Sequence, residues 1–328
     1  MFLIKRTKEN PIVTDFYLNI IQYALIKNKK EISSSRNWKE LNYNKGDIYV
    51  VSTATEALYL ILLGRPYMFW AQGVWPEESF MRNNSKIRFS ITSFIEKLAL
   101  EKAKFVFLVS KQMLLHYKEK YNLELSNKAY IMPCVNDRMH EECFSKKDYA
   151  KKTFCYAGGL SKWQCIEETL ILYKKIEDKY PDASLLLLVK DKIKIMELLK
   201  KYEIKNYQID FVSIESLPKR LENINFGFLL RQKDIVNTVA TPTKLMTYLG
   251  NGIIPIYSNA LEAVDDILKN TRYKVNYTND ENINDIEKIF KGKISFVDIK
   301  KDYIDIFNEN FNKEKHSDGL SKILLNKI

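Results

Sequence analysis

Short apolar runs alternate with helix-period segments along the chain, and the alternation restarts once after a charged interval. Phe2–Ile4, Ile48–Val51, Tyr67–Ala71, Phe105–Val109 and Tyr130–Met132 are strand-length runs. Between them lie Asp15–Leu25, Thr55–Leu63, residues 91–102 with Ile91, Ile95, Leu98 and Ala99 at helical spacing, and Lys111–Tyr121 with Ser110 as N-cap. The polar stretch Ser145–Lys152 reads as a linker. Beyond it, strands at Thr153–Ala157, Ser184–Val189, 207–212, Phe226–Leu230 and Ile253–Tyr257 alternate with helices, the first carrying Ile166, Leu170, Tyr173 and Ile176 on one face. Apolar strands alternating with helices build parallel sheets covered on both faces. Two such runs predict two α/β domains facing a cleft. Ligands bind such sheets beyond the carboxyl ends of the strands, which points to loops 52–55, 72–78, 110, 134–137, 158–163, 213–217 and 231–243.

The chain has 328 residues, enough for two domains. No apolar run approaches the roughly 18 residues of a membrane span. Lys5 and Arg6 interrupt the N-terminus too early for a signal-peptide core, so a cytoplasmic protein is expected. Cys134, Cys143, Cys155 and Cys165 lack C-x-x-C spacing, and His116, His140 and His316 lack metal-ligand spacing. The cysteines are read as reduced structural thiols and the histidines as surface residues. Chemistry therefore falls to carboxylates, cations and backbone groups, with no metal or other cofactor expected. The formal charge of +11 favours an anionic partner, either a phosphate-bearing substrate or an anionic membrane surface. No compact Lys/Arg block or aromatic–basic signature supports nucleic-acid binding.

The most heavily punctuated stretch is RQKDIVNTVATPTKLMTYLGNGIIPI, residues 231–256. Thr241 as N-cap and Pro242 at the first helical position predict a short helix stopped at Gly250 or Gly252. A helix N-terminus attracts anions, yet Lys244 sits in its first turn, where a cation opposes the dipole unless an anion lies between. Arg231 closes the preceding strand and can approach the same place. Gly158-Gly159-Leu160-Ser161-Lys162 is a second glycine loop between strand and helix. It is neither G-x-G-x-x-G nor a Walker sequence. Two anion-suited loops in one domain favour a nucleotide diphosphate.

PTKLMTYLGNGIIPIYS resembles the donor segment P-x-K-x-x-E-Y-L-A-x-G-x-P-V-I-x-S of the large family of bacterial polysaccharide and lipopolysaccharide glycosyltransferases with the GT-B fold. YAGGLSKWQCIEETLILYKKI resembles the opening of that family's C-terminal domain. IEKLALEKAKFVFLVSKQMLLHYKEKY followed by IMPCVND resembles the end of its N-terminal domain, and FWAQGVWPEES its acceptor-side loop. The segment DIFNENFNKEKHSDGLSKILL resembles the terminal helix that crosses back. The resemblance implies an acceptor domain of residues 1–147 with a crossover helix 305–328, and a donor domain of residues 148–304. Two departures stand out: Val239 and Thr247 occupy the positions of the family's E-x7-E glutamates, and the acceptor-side histidine is replaced in the neighbourhood of Gln72 and Gly73.

What the resemblance implies is transfer of a sugar from a nucleotide-diphosphate donor to a hydroxyl of a lipid-linked or polysaccharide acceptor. A retaining, metal-independent reaction of capsule or lipopolysaccharide synthesis at the inner membrane face is the expected setting. Gly158, Gly159, Lys162, Ser213, Ile214, Asn237, Thr241, Thr243 and Thr247 are the expected donor contacts. Lys244 and Arg231 would stabilise the leaving phosphate. Gln72, Gly73, Trp75 and Ser110 are expected on the acceptor side, with Trp70 as a further groove candidate. An inverting route would need a base, for which Glu77, Glu78 and Asp15 are candidates. The rival readings are a nucleotide-sugar 2-epimerase of the same architecture, a non-catalytic nucleotide-sugar-binding protein, and lastly a basic nucleic-acid binder.

Overall fold

A computed structural model describes residues 1–7, 11–135, 138–279, 282–292 and 294–325, and among these every side chain except those of 11–13 and 162. The chain divides into two compact units: Met1–Asn136 with Thr238–Thr241 and Asn308–Ile328, and Asp137–Asn237 with Pro242–Phe307. Each contains a six-stranded, all-parallel sheet.

In the first unit the elements run β1 (Phe2–Lys5), α1 (Pro11–Lys27), β2 (Ile32–Ser35), β3 (Ile48–Val51), α2 (Ala54–Leu62) and β4 (Tyr67–Ala71). They continue with α3 (Trp75–Asn83), α4 (Lys86–Lys102), β5 (Phe105–Leu108), α5 (Lys111–Tyr121) and β6 (Ala129–Ile131). The strand order is β2-β1-β3-β4-β5-β6. β1, β3, β4 and β5 are buried along their whole length, as strands covered on both faces must be. β2, sequence ISSS, carries no apolar run; it pairs only with β1, and an edge strand tolerates such polarity. On one face, Leu18, Ile21 and Leu25 of α1 join Met68, Trp70, Phe105 and Phe107 in one core. Trp70 stacks on Tyr17 at 3.8 Å and 6°, so it is a core residue and not a groove wall.

The second unit runs α6 (Glu141–Phe144), β7 (Thr153–Ala157), α7 (Ile166–Lys179), β8 (Ser184–Leu188), α8 (Lys192–Lys201) and β9 (Tyr207–Asp210). Next come α9 (Leu217–Leu221), β10 (Phe226–Leu229), α10 (Ile235–Val239, whose last two residues belong to the first unit), α11 (Thr243–Gly250), β11 (Ile254–Ser258), α12 (Glu262–Leu268), β12 (Val275–Tyr277) and α13 (Ile283–Lys291). The order is β12-β11-β10-β7-β8-β9. α14 (Phe296–Asn310) and α15 (Lys313–Leu325) close the described chain, and α15 packs in the first unit. There Leu320 and Leu324 enter the core beside α1, and Asn28 and Ser321 exchange hydrogen bonds.

Several sequence expectations change. The supposed linker is built into the second unit: buried Lys147 donates to the carbonyls of Leu221, Glu222 and Ile224, and Tyr149 donates to that of Gly252. His140 and His316 are buried, not on the surface; His316 Nδ1 lies 3.0 Å from Tyr130 Oη, and its Nε2 bonds the Asn310 carbonyl at 2.7 Å. The periodicity that predicts α4 is rotated from its buried face: of the four predicted residues Ala99 is buried, Ile95 and Leu98 are half-buried and Ile91 is exposed, while Thr92, Glu96 and Leu100 join Ala99 in the interior. No helix among the described residues is long and apolar enough to cross a membrane.

Candidate functional site

The second sheet reverses direction between β7 and β10: the chain builds β8 and β9 on one side, then β10, β11 and β12 on the other. Such a switch point opens a crevice at the carboxyl ends, because the loops after the two strands leave in opposite directions. Here the crevice is widened. β7 and β10 pair only at Phe226↔Phe154 and Gly227↔Cys155, whereas β7 stays paired with β8 through Ala157. Where β7 and β10 part, the Tyr248 hydroxyl of α11 stands between them, accepting from Ala157 N at 3.3 Å and donating to the Phe228 carbonyl at 3.1 Å. Its ring lies where a Cβ at position 227 would be, 2.6 Å away, so only glycine admits it.

Both sequence-predicted loops reach this crevice. Gly158 follows β7 at φ +145°, and a Cβ there would come 3.1 Å from Lys244 Nζ. A Cβ at Gly159 would meet nothing within 4 Å, so the loop backbone borders open space. The Lys244 ammonium lies 4.0 Å over the Tyr156 ring and bonds Gln164 Oε1 at 3.3 Å. Arg231, 9% exposed, donates from Nη1 to the carbonyls of Leu230 and Gln164. Its own backbone is fixed by Ser258, which exchanges hydrogen bonds of 2.8 and 2.7 Å with it.

Neither cation has a carboxylate partner among the described residues. Burial lowers the Lys244 pKa well below the ordinary lysine value, and the Arg231 charge lowers it further. Burial likewise lowers that of Arg231. Partial desolvation and mutual repulsion both disfavour this pair of cations, and an arriving dianion would relieve both. No group of three His, Cys, Asp or Glu side chains among the described residues is placed to hold a metal ion.

The remaining donor-side expectations fare unevenly. Thr241 does not cap α11: its hydroxyl accepts from Cys134 N at 3.1 Å, and Pro242 is the cap residue, with no side-chain bond. The first-turn N–H groups of α11, beginning at half-exposed Thr243, are thus left without a side-chain acceptor. Thr247 Oγ1 turns back to the Thr243 carbonyl at 3.4 Å, and Asn237 is buried, its amide donating to the Gln232 carbonyl. Ser213 and Ile214 lie exposed in the loop after β9. The glycine loop does not open directly onto a long helix; a 3-10 turn, Lys162–Gln164, intervenes before α7. The Lys162 side chain lies outside the described residues, as do Asn136 and Asp137 of loop 134–137.

In the first unit, the loop between β4 and α3 carries Gln72 and Gly73, and Trp75 opens α3. Gln72 donates to the Ser52 carbonyl at 3.4 Å. Gly73 leaves room for the Glu78 carboxyl, which a Cβ there would overlap. The backbone N–H of Trp75 donates to Glu96 Oε1 at 3.0 Å. Ser110 is fully committed: it caps α5 by accepting from Met113 N and donates to the Val239 carbonyl at 2.6 Å.

The paired glutamates part company. Burial raises the Glu77 carboxyl, but His116 at 3.2 Å and Lys120 at 2.6 Å outweigh it and hold the group below its ordinary pKa. Glu77 thereby ties α3 to α5. Among the described residues Glu78 has one ion-pair partner, Arg82 at 3.9 Å, and burial raises its pKa. Asp15 is no free base, being held between Arg6 at 3.1 Å and Arg36. Glu96 is a residue that sequence reasoning missed. Burial drives its pKa to about 8 despite the Tyr121 hydroxyl at 2.8 Å, and no motif surrounds it.

No protein-family model and no curated protein matches the sequence. Solved structures do match. Sucrose-phosphate synthase of Thermosynechococcus elongatus aligns at TM-score 0.63 and 12% identity over 99% of this chain and 88% of that one. An alpha-glucosyltransferase in complex with UDP-glucose and abasic DNA aligns at 0.59 and 13%, over 98% of each chain. TarM of S. aureus, in a complex containing UDP, aligns at 0.59 and 8% over 85% of this chain, which spans only 55% of TarM. At these identities the likeness concerns architecture, and with two six-stranded parallel sheets in two units this chain has the GT-B fold.

Proposed function

We infer that this chain transfers a sugar from a nucleoside-diphosphate sugar to an acceptor hydroxyl. The observation that carries the reading is the pair of buried Arg231 and half-buried Lys244, neither with a carboxylate partner among the described residues, beside the open backbone of Gly158 and Gly159. A diphosphate is an anion of the right class, and its departure from the sugar builds negative charge where these cations stand. The bond broken is anomeric carbon to phosphate oxygen, and the bond formed is anomeric carbon to acceptor oxygen. In a retaining course the departing phosphate takes the acceptor proton, so no protein base is needed; Glu78 is the side chain available to an inverting one. The cations supply the positive charge, and the reading calls for no metal ion. Loop 213–217 would choose the nucleotide, with Thr243 and Thr247 near the sugar and diphosphate. The loop of Gln72, Gly73 and Trp75 would meet the acceptor, a lipid-linked or polysaccharide glycan of surface-polymer synthesis. Neighbouring structures in complex with UDP or UDP sugars support the donor class.

A panel of nucleotide sugars, with nucleoside diphosphate release followed in the absence of acceptor, tests this. Slow release from one donor is expected, and Lys244→Ala and Arg231→Ala should each lower it by about 10²–10³. Release that stays within about threefold of wild type in both variants rules the reading out. Thermal stabilisation by one donor without release from it, even with acceptor glycans added, would mark a binding protein, the outcome that Val239 and Thr247 at the two glutamate positions would then explain.

A further inference from the structure

α4 is built inside out. Its inward side carries Thr92 and the Glu96 carboxyl, together with Ala99 and Leu100. Its outward side carries Ile87, Ile91 and Phe94, exposed to 76%, 56% and 64%. At about 100° per residue these three fall within an arc of roughly 60°, opposite the buried set. The same geometry places Lys86 and Lys97 along one margin of the stripe and Arg88 and Lys102 along the other. Lys86, Arg88 and Lys97 have no acidic partner among the described residues, and Lys102 pairs with the exposed Glu101 at 3.8 Å.

A single exposed isoleucine needs no explanation, but a stripe of large apolar side chains with cations along both margins does. Protein interfaces are depleted in lysine, and nucleic acid has no use for an apolar stripe. An anionic bilayer answers both parts: acyl chains receive the apolar residues while lipid phosphates meet the cations. We propose that the outward face of α4 docks the first unit on an anionic membrane surface. This goes beyond sugar transfer and does not depend on it. If both hold, the surface has a use, because the inward Glu96 of the same helix fixes Trp75, so the loop proposed to meet the acceptor is anchored to the element that touches lipid.

The test is co-sedimentation of the full chain with phosphatidylcholine vesicles, with and without phosphatidylglycerol. Wild type is expected to partition onto the phosphatidylglycerol-containing vesicles and to be released by salt. A triple Ile87→Asp, Ile91→Asp, Phe94→Asp variant should partition at least about tenfold less. So should Lys86→Glu, Arg88→Glu, Lys97→Glu. Circular dichroism and thermal melts establish that the variants fold; the charge-reversal variant serves if the apolar one does not. Absence of wild-type partitioning, or equal partitioning of a folded variant, overturns the proposal. So does a wild-type dimer that the apolar variant dissolves while vesicle binding persists, since the occupant would then be a second copy. Donor turnover without vesicles should be unchanged in both variants, which separates failure here from failure of the transfer reading.

Discussion

Glu96 sits on the inward side of α4 with three hydrogen bonds aimed at it, from Trp75 N, Tyr121 Oη and, at 3.5 Å, Tyr117 Oη. Burial favours its neutral form, raising the folded-state pKa to about 8 from an ordinary 4.5. The folded protein then holds a proton that the unfolded chain has lost. The stabilisation is complete below pH 4.5 and disappears as pH rises through about 8. A shift of this size is worth at most about 5 kcal/mol. Glu96→Gln keeps the acceptor for Trp75 N and cannot titrate. Urea midpoints measured across that window should therefore fall for wild type relative to the variant. Parallel curves would mean that Glu96 is ionised in the fold, with Lys120 at 3.9 Å as its counter-ion. Nothing in the sequence around this residue distinguishes it from Glu101 or Glu119; its role comes from two tyrosines brought over by α5. The glycine loop and Lys244 stood out in the sequence for the opposite reason, since Gly158-Gly159 punctuates a strand-to-helix junction and Lys244 opposes the dipole of its own helix.

Among the elements, α11 does more than present its N-terminus. Through Tyr248 it holds β7 and β10 apart at the point where the candidate crevice opens. Tyr248→Phe would leave Ala157 N and the Phe228 carbonyl unpaired in a buried place, at a cost of about 1–3 kcal/mol. Chemical denaturation should show that loss, with hydrogen exchange fastest at Ala157. An unchanged midpoint would mean that the strand ends close on each other without the hydroxyl. Strand-level reading of the sequence succeeded where both faces are covered, as in Tyr67–Ala71, and failed at β2, whose serines give no apolar run. For α4 the period was legible but the buried side was not, since apolar spacing alone does not say which side meets the core.

For the molecule as a whole, the two units were visible as two runs of alternation, but their chain boundaries were harder to read. Lys147 and Tyr149, polar enough to resemble a linker, belong to the second unit because their hydrogen bonds end there. α15 belongs to the first unit by its core: Leu320 is fully buried with Leu18, Ile21 and Leu25. Leu320→Ala should cost about 2–5 kcal/mol. The loss should appear as faster hydrogen exchange in α1, with the central strands β7 and β8 of the second unit unaffected. Uniform loss across both sheets would mean that the units unfold as one.

That placement of α15 also bears on how the chain is made. Residues Lys313–Leu325 leave the ribosome after every strand of the second sheet. The first unit, although begun first, therefore has to wait with the side of α1 bearing Phe16 and Tyr23, and Asn28 just beyond it, uncovered until translation has passed the other unit entirely. Nascent chains stalled before residue 313 should hold an open first unit that a chaperone can recognise, at a stage when the second sheet already has all its strands.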